Sequence, residues 1–131
     1  MLMNGSFLLD TNIVIGILEG DAAITGRLYP QMRLYLPSIV MGELYFGAYR
    51  SGRVHHNLER LTMLSKAYPL LPCDLGTAET YGKLKDELRK KGRPVPDNDI
   101  WIAAVSQRQR LTLITRDQHF REFDSLSADI W

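Results

Sequence analysis

The sequence predicts an α/β fold in which a parallel, twisted sheet of about four to five strands carries helices on both faces. Two observations lead there. Short apolar runs of strand type recur along the chain, and each gap between them is filled by a longer stretch with helical apolar spacing. These gaps are too long for hairpins, so successive strands run parallel through helical crossovers, right-handed by the usual rule. Every strand then ends at one edge, where open α/β sheets place their ligands.

Taken in chain order, the first strand is Ser6 to Leu9, closed by Asp10. A helix follows over Asn12 to Glu19, ended by Gly20, and Asp21 is placed to cap a second helix running toward Tyr29 before Pro30 stops it. Leu34 to Leu36 forms the next strand. Ser38, after Pro37, is a suitable N-cap for a helix through Tyr49, with Gly52 where a C-terminal glycine is expected. Val54 to Ala67 carries Leu58, Leu61 and Leu64 on one face, and a short strand at Leu70 to Leu71 follows. Gly76 to Lys91 aligns Tyr81, Leu84 and Leu88, with Lys83, Lys85, Asp86 and Glu87 outside. Asp97 to Arg108 gathers Ile100, Ala103 and Ala104; strands at Thr112 to Thr115 and Ala128 to Ile130 complete the pattern.

With 131 residues the chain fits one domain, residues 1–131, large enough to bury a real core. Sixteen basic and fifteen acidic side chains leave a formal charge of +1, so any nucleic-acid contact must come from charge placement rather than net charge. Cys73 is the single cysteine, which excludes an internal disulfide and a cysteine zinc cage and suits a reducing cytoplasm; it reads as a buried strand thiol. Met1-Leu2-Met3-Asn4-Gly5 lacks the pattern of a secretory leader, and no apolar run approaches membrane-spanning length, so a cytoplasmic protein without membrane attachment is expected.

Four acids occupy places from which they could meet. Asp10 stops a strand; Glu43 lies on a helix face that Val40, Leu44 and Gly47 turn toward the protein; Asp99 opens a helix after Pro94-Val95-Pro96; Asp117 follows a strand. Singly, each has an ordinary reading as a cap, turn former or solvated side chain. Asp97 fits the N-cap better than Asp99, which leaves Asp99 free to face the cleft. The combination is what carries weight: two carboxylates about 4 Å apart repel by roughly 4 kcal/mol at an effective dielectric of about 20, unless a proton or cation lies between them. Oxygen donors select a hard cation, Mg2+ or Mn2+, and that chemistry serves phosphodiester hydrolysis.

The motifs Phe7-Leu8-Leu9-Asp10-Thr11-Asn12, Pro37-Ser38-Ile39-Val40-Met41-Gly42-Glu43-Leu44-Tyr45-Phe46-Gly47, Asp99-Ile100-Trp101-Ile102-Ala103-Ala104 and Leu113-Ile114-Thr115-Arg116-Asp117, in this order, resemble the PIN-domain ribonucleases, specifically the VapC-type toxins. The resemblance spans nearly the whole chain and implies a three-layer PIN-like domain that cuts single-stranded or loop RNA with magnesium or manganese, often leaving a 5′-phosphate and a 3′-hydroxyl. It implies Asp10 and Asp99 as metal ligands and Glu43 as the group that positions or deprotonates the attacking water. Asp117, in the least uniform motif, would bind through water or complete a second metal position, and Asn12 and Thr115 would hold the carboxylates in place. It also implies an antitoxin partner of VapB type, a homodimer, and operator DNA reached only through the antitoxin.

Other features have a less direct bearing. Arg93 and Arg116 stand nearest the motifs and are the candidates for RNA phosphates; Lys90 and Lys91 read as a solvated helix end. Trp101 departs from the family's usual smaller aliphatic and is expected in the core, with base stacking as the alternative. His55 and His56 point apart on a helix and do not make a metal site. His119 reads as a surface-loop residue within reach of a phosphate. Two other functions fit the chain less well: a PIN-like binding or regulatory module within an antitoxin complex, and a phosphatase using Asp10 as nucleophile, which would need a second acid where Asn12 stands.

Overall fold

A computed structural model describes residues 5–131; residues 1–4, where the absence of a leader was read, lie outside the described residues. The elements in order are β1 (Ser6–Leu9), α1 (Thr11–Glu19), α2 (Ala22–Thr25), β2 (Arg33–Pro37), α3 (Ser38–Tyr49), α4 (Val54–Ala67), β3 (Leu70–Leu71), α5 (Leu75–Lys91), α6 (Asp97–Arg108), β4 (Thr112–Thr115), a 3-10 turn (Gln118–Glu122) and β5 (Ala128–Ile130). The five strands form one parallel sheet in the order β3-β2-β1-β4-β5, flanked by helices as the sequence predicts.

This order places the topological switch at β1. The chain leaves β1 toward β2 on one side and returns beside it as β4 on the other, pairing Leu9 with Ile114. Diverging connections open a crevice at the carboxyl ends of β1 and β4, and the next residues, Asp10 and Thr115, face each other there. Leu8, Leu9, Leu113 and Ile114 beneath them are fully buried. They make the floor of the crevice rigid, since truncating such side chains typically costs about 2–5 kcal/mol. The sheet edges are short strands, two residues in β3 and three in β5, which limits unwanted pairing.

The helices pack for the reasons their spacing predicts. Val40, Leu44 and Ala48 recur one turn apart along α3 and are buried, as are Leu61 and Leu64 on α4 and Leu84 and Leu88 on α5. Gly20 ends α1 in the left-handed region at φ 71°, where a side chain would be strained. Among the described residues, no helix is long and apolar enough to cross a membrane.

Several local expectations are corrected. Asp21 does cap α2, accepting from the Ala23 N–H at 2.9 Å, but the helix stops at Thr25 instead of continuing toward Tyr29. Ser38 is the first residue of α3, not its cap; Pro37 holds that position without a side-chain bond. Gly52 is not needed at the far end, because the Ser51 hydroxyl takes the Ala48 carbonyl at 2.6 Å and is itself held by Asn57 at 2.9 Å. Cys73 is exposed rather than a buried strand thiol: β3 ends at Leu71, and the thiol lies on the connection to α5, beside the Ser38 hydroxyl. Asp74, next in line, caps α5 through the Thr77 N–H at 2.9 Å.

Candidate metal centre

Asp10 anchors the crevice. Its backbone N–H extends the sheet to the Ile114 carbonyl at 3.0 Å, and its side chain is almost fully buried. Three donors converge on the carboxylate: the Thr11 N–H on Oδ1 at 2.8 Å, and the Thr115 hydroxyl at 2.6 Å and Asn12 Nδ2 at 3.3 Å on Oδ2. Because the Thr115 oxygen already accepts from the Asp117 N–H at 2.9 Å, its proton is directed at Asp10. Asn12 is braced at its other end, where its Oδ1 accepts from the Arg116 N–H at 3.1 Å. Asp10 thus caps α1, its ordinary reading, while its carboxylate lies in the crevice and accepts hydrogen bonds from Asn12 and Thr115.

Glu43 reaches the same crevice from α3. Its Oε1 accepts from the Thr11 hydroxyl at 2.6 Å, across 32 residues of sequence. Thr11 thus holds two acids, Asp10 by its N–H and Glu43 by its hydroxyl, and it is a residue that sequence reasoning left unassigned although it stands inside the first motif. Glu43 also borders a cavity of about 270 Å³ lined by Ile15, Leu18, Leu44, Gly47 and Leu61. Gly47, one turn beyond Glu43, has open space where a side chain would stand.

Asp99 and Asp117 complete the set from α6 and the end of β4. Asp117 caps the 3-10 turn, accepting from the His119 N–H at 2.9 Å, and its Oδ1 lies 3.0 Å from His119 Nδ1. Asp99 Oδ2 lies 3.5 Å from the same nitrogen. Ligand atoms of Asp99, Asp117 and His119 all fall within 4.8 Å of one another. Asp10 and Glu43 lie outside that tightest group; the Asp10 charge acts on Asp99, and the Glu43 charge acts on Asp10.

The electrostatics follow from this crowding. Burial pushes the Asp99 carboxyl up to about 7, the negative charges of Asp117 and Asp10 add to the rise, and His119 pulls the other way. Burial also raises the Asp10 carboxyl, against the hydrogen bonds from Thr115 and Thr11, with the Glu43 and Asp117 charges pushing it further up. Carboxyls pushed upward by burial and by like charges lack a compensating positive charge, and the oxygen-rich donor set suits a hard divalent cation. The residues present therefore fit a metal.

The remaining candidates separate clearly. Asp97 is not the cap of α6; Pro96 is at that position, and Asp97 accepts from the Tyr81 hydroxyl and Lys85 Nζ, each at 3.0 Å. Trp101 is half-buried and stacks on Tyr81 with ring centroids 4.0 Å apart, which clasps α5 to α6. Arg116 pairs with Asp21 at 3.2 Å and Arg93 with Glu122 at 3.4 Å, both on the surface. His55 is paired with Glu59 on the exposed side of α4. His119 is on the surface, as expected, two residues after Asp117 on the same turn, but sequence reasoning did not connect it with Asp99, which lies on α6.

The PIN-domain family model matches residues 7–126. The chain is 29% identical over 130 residues to Ribonuclease VapC1 of Haemophilus influenzae (strain R2866), covering 95% of this chain and 97% of that protein. It is 27% identical over 128 residues to the tRNA(fMet)-specific endonuclease VapC of Shigella flexneri, again covering 95% and 97%. The crystal structure of DNA-bound VapBC from Salmonella typhimurium superposes with a TM-score of 0.88 at 27% identity, covering 96% of this chain and 98% of that one.

Proposed function

The chain belongs to the PIN-domain family, and from that premise we propose that it is a divalent-metal-dependent endoribonuclease, the toxin of a toxin–antitoxin pair held in check by a VapB-type antitoxin. The observation that carries this reading is the convergence of Asp10, Glu43, Asp99 and Asp117 on one crevice, with Asp99 pushed up to about 7. A scaffold has no use for such repulsion.

Asp10, Asp99 and Asp117 would hold Mg2+ or Mn2+, with Glu43 beside them. When bound, the ion supplies positive charge to the phosphate and leaving oxygens and acidifies water. Glu43 takes the proton of the attacking water, and the Thr11 hydroxyl fixes the direction of its carboxylate. Thr115 and Asn12 keep Asp10 from rotating. Because Asn12 donates to Asp10 and carries no proton for a leaving group, the arrangement favours Asp10 as a metal holder over Asp10 as a nucleophile. Arg93 and Arg116 would exchange their surface partners for RNA phosphates on either side of the scissile bond.

The apolar cavity between α1, α3 and α4 would take a segment of the antitoxin next to Glu43. Support comes from the Salmonella typhimurium relative, whose structure is a VapBC complex on DNA. Operator DNA would be reached only through the antitoxin, and the toxin would act as a cytoplasmic homodimer. The test is cleavage of transfer RNA by untagged protein in Mg2+ or Mn2+, followed by end mapping. Cleavage leaving 5′-phosphates, abolished by EDTA and by Asp10→Asn, is the expected result. Metal-independent cutting, or full activity in Asp10→Asn, would overturn the assignment; specific RNA binding without cutting would favour the binding-module reading.

A further inference from the structure

His119 stands at the mouth of the acid cluster with one ring nitrogen turned inward. The Nδ1 atom lies 3.0 Å from Asp117 Oδ1 and 3.5 Å from Asp99 Oδ2. The position is set by the backbone, since the His119 N–H donates to Asp117 Oδ1 at 2.9 Å. The next residue, Phe120, is buried and packs on Phe123 at 6.0 Å between centroids, which pins the turn to the core. An exposed histidine meant only to contact RNA would not need its imidazole against two carboxylates.

These distances match the spacing of neighbouring ligands around one ion. Donors at about 2.1 Å from an octahedral cation stand about 3 Å apart when they occupy adjacent positions. We propose that His119 is a nitrogen ligand of the divalent cation, joining Asp99 and Asp117, and that it makes this centre select Mn2+ over Mg2+. The proposal rests on the metal-dependent reading above and adds to it a donor outside the four acids. Imidazole suits transition metals, whereas Mg2+ favours oxygen and dehydrates reluctantly, so a nitrogen donor shifts the choice of ion.

Pulsed EPR on untagged protein loaded with Mn2+ alone tests this without any assay of activity. Nitrogen coupling to the bound Mn2+ is expected, with the isotope pattern changing when histidine is 15N-labelled. The chain has three histidines, and His119→Gln assigns the signal: coupling should vanish while Mn2+ still binds. Calorimetry on the same pair should show Mn2+ affinity falling by about tenfold or more and Mg2+ affinity by much less. Bound Mn2+ with no nitrogen coupling in the natural protein would overturn the role of His119 and leave the metal reading intact. Equal loss of both ions in His119→Gln would overturn the selectivity. Failure of the natural protein to bind Mn2+ at all would overturn the ligand proposal together with the metal reading.

Discussion

Asp97 and Asp99 stand two residues apart on the first turn of α6, and their surroundings give them opposite character. Asp97 faces α5, where Lys85 and the Tyr81 hydroxyl hold its carboxyl below the usual range. Asp99 faces the crevice, where burial and the Asp117 and Asp10 charges push it up to about 7. One acid is neutralised by a neighbouring cation and clasps two helices together. The other is left with like charges and a single imidazole. An acid is equipped for metal chemistry by what the fold withholds from it, here a fixed positive partner.

The sharpest way to break this contrast is to neutralise each acid in turn. Asp99→Asn should lower RNA cleavage by more than about 100-fold, beyond the range of substitutions that only orient ligands. Asp97→Asn should leave kcat within about threefold, because an exposed surface pair contributes little. Initial rates at saturating Mn2+ decide the matter, and equal losses in both variants would mean that the two faces are not distinct.

A smaller effect separates them in the absence of metal. The folded pKa of Asp99, about 7, lies above its ordinary 3.8, so between those values the folded state keeps a proton that the unfolded chain has released. Stability therefore falls as pH rises through that window, and Asp10, also raised, acts in the same sense. Asp97 has the opposite sign, since a lowered carboxyl stabilises above its unfolded pKa and loses that contribution in acid. Urea melts in EDTA at pH 5 and pH 7.5 should show Asp99→Asn gaining on the natural protein at the higher pH. An unchanged difference between the two pH values would show that Asp99 carries no such burden.

The smallest effect belongs to the clasp itself. Tyr81→Phe removes the hydroxyl that reaches Asp97 but keeps the ring on Trp101, so stability should drop by no more than about 1 kcal/mol. Activity per folded molecule should not change. A loss of cleavage in this variant would tie the α5 face to the reaction.

The legible part of the molecule is the part that rests on local pattern. Helix and strand identities follow from apolar spacing, so the strands at Ser6–Leu9, Leu70–Leu71, Thr112–Thr115 and Ala128–Ile130 and the helix at Val54–Ala67 stand where the sequence places them. The four acids are also visible in the chain: Asp10, Asp99 and Asp117 sit at a strand end or helix start that implies a common edge, and Glu43 lies inside α3 on a face whose neighbours are apolar. End positions were less legible: Pro37 and Pro96 occupy the cap positions expected of Ser38 and Asp97 without supplying a side-chain bond, and the Ser51 hydroxyl lies at the end of α3 where Gly52 was expected to act, alternatives that differ by little locally.

The sequence by itself determined the order of elements along the chain, and with it a parallel sheet with Asp10 at its carboxyl edge; the strand order that makes β1 the switch point came from the structure. Only the tertiary structure decided that Thr11 binds Glu43, that His119 meets both Asp99 and Asp117, that Asp97 turns to Lys85 and that Cys73 lies on the surface. The reason is the range of the forces involved. Periodicity and capping act over a few neighbouring residues, whereas a carboxyl's proton affinity depends on every charge and every layer of protein packed around it, wherever in the chain those groups arise.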